Sequence, residues 1–244
     1  TATLLHDDVV DQSVMRRGQA TVNSMWGDNL SVLVGDFLYS RAFEMMVDVD
    51  NLEVMAVLAK ATNVIAEGEV MQALNRHNPD VNEADYLKVI AAKTATLFSA
   101  SSQLGALLSG ADDRVQGAMK QFGFNFGVAY QLIDDVLDYR GDRDLIGKNL
   151  GDDLAEGQPT LPLIHAMSKA PPDDAALIRD VIKNGSGELG KILSIVESAG
   201  SIAYTARLAD SYCEIARQSL AKVPETPFRD TLCDLAQFAV NRTF

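Results

Sequence analysis

Two sets of three aspartates share one spacing. Asp7, Asp8 and Asp11 stand at i, i+1 and i+4 near the start of the chain, and Asp134, Asp135 and Asp138 repeat the pattern near its middle. On a helix this spacing brings the first and last carboxylates to one face about a turn apart, with the second beside them. The first set is flanked by Leu4, Leu5, Val9 and Val10, and the second lies in an even less polar run that begins at Phe122. Carboxylates crowded into apolar surroundings repel one another and resist desolvation, so they need a cation. Hard oxygen donors at this density suit Mg²⁺, which takes one or two carboxylates and fills its other positions with water and phosphate oxygens. A single acidic triplet reads equally well as a solvated helix face. Two copies, each inside apolar sequence, point to paired metal sites.

Cations follow the aspartates. Arg16 and Arg17 lie just after the first set in Met-Arg-Arg-Gly-Gln-Ala-Thr, where paired guanidinium groups can grip diphosphate oxygens. Lys93 has Val89, Ile90, Thr96 and Leu97 as helical neighbours, a poor setting for a solvated ammonium, so Lys93 and the Thr94 hydroxyl are expected to face a cavity. After the second set, Gly-Lys-Asn-Leu-Gly-Asp-Asp-Leu-Ala-Glu-Gly-Gln-Pro-Thr reads as a polar lid whose Lys148 can reach a leaving diphosphate; Asp152 and Asp153 read equally well as loop caps. The three histidines show no zinc-ligand spacing, phosphate-loop and dinucleotide fingerprints are absent, and Trp26 reads as a packing residue.

The elements that must position these groups are helices. Apolar residues recur every three or four positions and strict alternation is scarce, so the class is all-α. Helices are expected at about 1–12, 27–48, 51–76, 82–109, 112–141, 160–169, 173–184, 187–198, 200–222 and 226–242. Asn82 with Asp85, after Pro79, predicts one helix start, and Thr226-Pro227 another. Gly110, Gly185 and Gly200 suit helix ends. The helices at 82–109 and 112–141, each about 40 Å long at 1.5 Å per residue, are apolar around most of their circumference and belong at the centre of a bundle. Residues 1–244 contain no low-complexity linker or fixed-period repeat and read as one domain. The chain opens at Thr1 without Met, already in helical pattern, which predicts N-terminal helices upstream.

With 47% hydrophobic and 23% charged residues the composition is that of a soluble globule. The formal net charge of −13 argues against nucleic-acid partners, which require a basic footprint. Two cysteines are too few for a disulfide framework, and neither a membrane-spanning run nor a signal peptide is evident. A cytoplasmic, soluble protein is expected.

Leu-Leu-His-Asp-Asp-Val-Val-Asp, Arg-Arg-Gly, Lys93-Thr94, Gln131-Leu-Ile-Asp-Asp-Val-Leu-Asp and Gly-Lys-Asn-Leu-Gly-Asp-Asp, in this order, resemble the trans-polyprenyl diphosphate synthases over essentially the whole chain. The wording is nearest to octaprenyl-type long-chain enzymes that make quinone side chains. The resemblance implies an isoprenoid-synthase-type helical bundle around a central cavity, generally homodimeric. It also implies head-to-tail condensation of an allylic diphosphate with isopentenyl diphosphate, with the allylic carbon–oxygen bond ionising first. By the same resemblance, three Mg²⁺ ions bridge the six aspartates to the diphosphate. Arg16, Lys93 and Lys148 match positions that hold it, Arg17 one that holds isopentenyl diphosphate, and Gln131 and Thr94 positions beside the allylic end. Ala2 and Thr3, a turn before Asp7, are small; an aromatic there would stop growth early, so a product of eight to ten isoprene units is implied. Two departures stand out. The family's glycine-lysine-arginine segment would lie before Thr1, and Gln158 occupies a position where relatives commonly carry lysine. Rival readings are a class I terpene cyclase, whose second metal site mixes Asn, Ser or Thr with Glu, and a non-catalytic subunit of a heteromeric synthase, in which aspartates are often lost.

Overall fold

The computed structural model describes residues 1–16, 18–140 and 151–242, apart from the Asp152 side chain. The described residues form an all-α protein whose only sheet is a short hairpin. They divide into two units, Thr1–Ala56 and Val57–Arg140 with 151–242, the division falling within one helix.

The first unit is built on α1 (Ala2–Val10), a hairpin of β1 (Met15–Arg16) and β2 (Gln19–Ala20), α2 (Val22–Trp26) and α3 (Asp28–Asp48). α1 lies close against α3 because the facing residues are small. Ser31, fully buried, donates its hydroxyl to the Leu5 carbonyl at 3.0 Å, and a Cβ at Gly35 would stand 2.3 Å from the His6 ring. Thr21 caps α2 by accepting from the Ser24 amide at 3.4 Å, while its own hydroxyl donates to the Ser13 carbonyl at 2.7 Å. The hairpin and α2 were not anticipated. Trp26 is 62% exposed, which corrects its reading as a packing residue: it ends a five-residue helix with no buried position.

α4 (Leu52–Asn75) crosses the division. The second unit continues with α5 (Glu83–Ile90), a π-helical turn (Ala91–Ala95), α6 (Thr96–Leu108) and α7 (Asp113–Arg140). It ends with α8 (Asp152–Ala155), α9 (Leu161–Lys169), α10 (Pro172–Asn184), α11 (Leu189–Ser198), α12 (Ser201–Ser219), a 3₁₀ turn (Leu220–Lys222) and α13 (Pro227–Asn241). The expected caps are present: Asn82 accepts from the Asp85 amide at 3.0 Å and Thr226 from the Arg229 amide at 3.2 Å. Gly110, Gly185 and Gly200 have φ of 74°, 62° and 66°. α7 is the buried helix of this unit, and α6 approaches it at glycines: a Cβ at Gly123 would lie 2.2 Å from the Phe98 carbonyl oxygen. A core of Leu163, Ile178, Ile182, Ile192 and Ile202, all fully buried, joins α9 to α12, each side chain contributing about 1.5–3 kcal/mol.

Where one helix was expected over 82–109, the π turn interrupts it at Lys93 and Thr94. A Cβ at Gly68 of α4 would lie 2.8 Å from the Lys93 amide nitrogen, so α4 passes against the backbone of the wide turn.

Candidate functional site

In the first unit, Asp8 is the buried member of its triplet, 3% exposed on α1, while Asp7 and Asp11 are half-buried. β1 brings Arg16 back to it: Nε donates to Asp8 Oδ1 at 2.7 Å, and Nη2 forms an ion pair with the same oxygen at 2.6 Å. The amide nitrogen of Asn23 donates to the main-chain carbonyls of Asp8 (3.1 Å) and Ser13 (3.2 Å), tying the end of α1 to α2. Burial disfavours the charge on Arg16, yet the hydrogen bond and charge of Asp8, with the fields of Asp7 and Asp11, hold its pKa above the ordinary value. Ala2 and Thr3 lie on the same helix, half-buried and exposed. Arg17 and Lys148 lie outside the described residues.

In the second unit, Asp135 is again the buried middle member, 2% exposed. The Tyr86 hydroxyl of α5 donates to its Oδ2 at 2.5 Å, and the Gln131 amide, one turn back on α7, donates to its Oδ1 at 2.9 Å. Gln131 in turn accepts the Thr94 hydroxyl at 3.0 Å. A chain of hydrogen bonds therefore runs from the π turn through Gln131 to the aspartate and on to Tyr86. Burial, then the charge of Asp153, raise the Asp135 carboxyl to about 8 against the opposing pull of the Tyr86 and Gln131 bonds; Asp134 adds a further push upward. Burial, and then Asp135 itself, keep the Tyr86 phenol protonated well above its usual range. Lys93 pairs with Glu69 of α4 at 3.0 Å, and Asp134 with Arg242 just past α13. Gln158, 5% exposed, follows Gly157 at φ 70°; its side-chain nitrogen is buried without a hydrogen-bond partner.

These donors fit a divalent cation. The Asp135 carboxyl is raised by burial and by like charges, a setting in which a cation stabilises the ionised form, and hard carboxylate oxygens match Mg²⁺ or Ca²⁺. Among the described residues no three acidic, histidine or cysteine side chains enclose an ion by themselves. An ion here would complete its shell with water and phosphate oxygens, as Mg²⁺ commonly does.

The six aspartates, Lys93, Thr94 and Gln131 were candidates from the sequence; the contacts that Tyr86, Glu69, Asn23 and Arg242 make with these segments were not anticipated. Tyr86 and Arg242 meet their aspartates across 49 and 108 residues, a distance no local spacing signals. Lys93 was expected to face a cavity, and its pairing with Glu69 was not foreseen.

A family model described as polyprenyl synthetase matches residues 1–199. The chain is 48% identical to octaprenyl diphosphate synthase of Escherichia coli (strain K12) over 244 residues, covering 99% of this chain and 76% of that protein. It is 43% identical to the all-trans-nonaprenyl-diphosphate synthase (geranyl-diphosphate specific) of Rhodobacter capsulatus, covering 99% and 74%. Among solved structures, the polyprenyl synthase from Caulobacter crescentus CB15 complexed with calcium and isoprenyl diphosphate superimposes with a TM-score of 0.96 at 42% identity, covering 100% of this chain and 75% of the other. The decaprenyl diphosphate synthase from Rhodobacter capsulatus gives 0.93 at 42% identity, covering 100% and 76%.

Proposed function

Because the chain belongs to the polyprenyl synthetase family, we propose that it condenses an allylic diphosphate with isopentenyl diphosphate into a long-chain all-trans polyprenyl diphosphate for a quinone side chain. The observation that carries this reading is the common construction of the two triplets: in each, the second aspartate is buried and held by a donor, Arg16 on Asp8 and Tyr86 on Asp135. Long-chain products are in keeping with the octaprenyl, nonaprenyl and decaprenyl relatives.

In this reading Asp7, Asp8, Asp11, Asp134, Asp135 and Asp138 hold Mg²⁺, three ions by resemblance. Held there, such ions would supply positive charge to offset that developing on a leaving diphosphate. The chain's own residues do the rest. Arg16 fixes the Asp8 carboxylate, and Tyr86 with Gln131 fixes that of Asp135, so neither must reorient when the diphosphate departs. Lys93 and Lys148, with Arg16, face the allylic diphosphate, and Arg17 the isopentenyl diphosphate. Thr94 and Gln131, linked by their hydrogen bond, flank the allylic end. The allylic carbon–oxygen bond breaks, the isopentenyl double bond attacks the cation to form the new carbon–carbon bond, and the released diphosphate accepts the proton lost from the isopentenyl unit. Ala2 and Thr3 leave room for a long product. Residues 1–244 act as one polyprenyl synthetase domain of a cytoplasmic homodimer; the apolar stripe on α3, where Leu33, Phe37 and Met45 are all more than 60% exposed, supports the homodimer. No helix among the described residues is long and apolar enough to cross a membrane.

The test is incubation of the protein, at its natural full length, with Mg²⁺, farnesyl diphosphate and labelled isopentenyl diphosphate, followed by product sizing. Long polyprenyl diphosphates that vanish with EDTA are expected. A folded sample that gives hydrocarbons, or no elongation, contradicts the proposal.

A further inference from the structure

The first residue past α13 turns inward. Arg242, the residue that caps this helix, leaves it with φ −66° and ψ 148° and turns its side chain in against α7, where it is only 10% exposed. Its Nη2 donates to the Tyr130 carbonyl at 2.9 Å and to Asp134 Oδ1, and the guanidinium carbon sits 3.8 Å over the centre of the Tyr130 ring. Tyr130 is itself braced by Phe98 and Phe126, with ring centres 5.5 and 6.2 Å away. A guanidinium this deep costs free energy unless it is paired and stacked, and here it is both, although its Nε is buried without a hydrogen-bond partner.

The other half of the pair is more open. The Asp134 side chain is 41% exposed against 10% for Arg242, so the cation is the more deeply set member of the pair. From this asymmetry we propose that Arg242 is a positioning residue for the second aspartate triplet, a built-in counter-ion that steadies Asp134 and holds down the triplet's affinity for divalent cations until a diphosphate arrives. The inference rests on the reading of Asp134 as a cation ligand. Its physics is simple. A fixed positive charge beside Asp134 offsets repulsion between this carboxylate and the acidic groups around it when no cation is bound, and it repels a cation that approaches alone. A diphosphate brings negative charge of its own and reverses the balance. A side chain that merely fastened the end of α13 would contribute to stability and leave cation affinity untouched.

Two neutral variants and one charged variant separate these roles. Binding of Mn²⁺ is titrated by calorimetry, with and without inorganic diphosphate, alongside melting temperatures. R242Q is expected to melt lower than wild type without metal, to bind Mn²⁺ roughly fivefold tighter when diphosphate is absent, and to gain more in melting temperature from the ion. R242K, which keeps the charge, returns the affinity to within about twofold of wild type. Should R242Q fail to fold, R242M, whose stem still packs on Tyr130, takes its place. Unchanged or weaker Mn²⁺ binding in the folded neutral variant overturns the inference alone. A wild-type protein that shows no Mn²⁺ binding even with diphosphate overturns the cation reading on which it stands.

Discussion

At the scale of single residues, the two buried aspartates are not equivalent. Asp8 has a guanidinium on one oxygen, whereas Asp135 has only neutral donors and the charges of Asp153 and Asp134 nearby. Its carboxyl is therefore raised from 3.8 to about 8 in the folded protein. The folded state then binds the proton more tightly than the unfolded chain does. That contribution to stability is complete below the unfolded value and is lost as pH rises through the folded one. Without metal, the melting temperature should fall between pH 6 and pH 8.5. Mg²⁺ with inorganic diphosphate replaces the proton, so it should raise the melting temperature more at pH 8.5 than at pH 6. Equal gains at the two pH values in thermal melts would contradict this account of Asp135. The aspartates were legible because their type, spacing and apolar flanks are all local. Tyr86, Glu69 and Arg242 were not, because each is an ordinary residue until the fold carries it to a partner.

At the scale of elements, nearly every long helix was legible within a few residues, since apolar periodicity and caps such as Asn82 and Thr226 are written along the chain. The exceptions have physical reasons. A hairpin of two-residue strands is too short to show alternation, and Arg16 nevertheless reaches Asp8 from it. The π turn at Ala91–Ala95 has no signature in its own sequence; it coincides with close passage of α4 at Gly68. Close approach also explains two of the three glycines of α7, Gly123 and Gly127. At Gly123 a Cβ would stand 2.2 Å from the Phe98 carbonyl oxygen, but at Gly117 nothing lies within 4 Å. Gly123→Ala should destabilise the protein by about 2 kcal/mol or more, because backbone must move to make room. Gly117→Ala on the same helix should stabilise it by up to about 1 kcal/mol through helix propensity alone. Denaturant melts of the two variants check the contrast, and equal effects would mean that α6 and α7 are not held at this distance.

At the scale of the whole molecule, a chain of net charge −13 must bind two anionic substrates. Three of the described cations already have carboxylate partners: Arg16 pairs with Asp8, Lys93 with Glu69 and Arg242 with Asp134. Metal ions are therefore proposed as the main counter-charge for the diphosphates, with Arg16, Arg17, Lys93 and Lys148 adding to it. This assignment makes both aspartate triplets indispensable, and the most direct measurement is the steady-state elongation rate of Asp8→Asn and Asp135→Asn beside wild type at saturating Mg²⁺. Each isosteric change removes one buried anion with little change of shape. The account predicts that either variant stays folded and loses about a thousandfold or more in rate. A folded variant of either kind that elongates at a rate within a few-fold of wild type would contradict it.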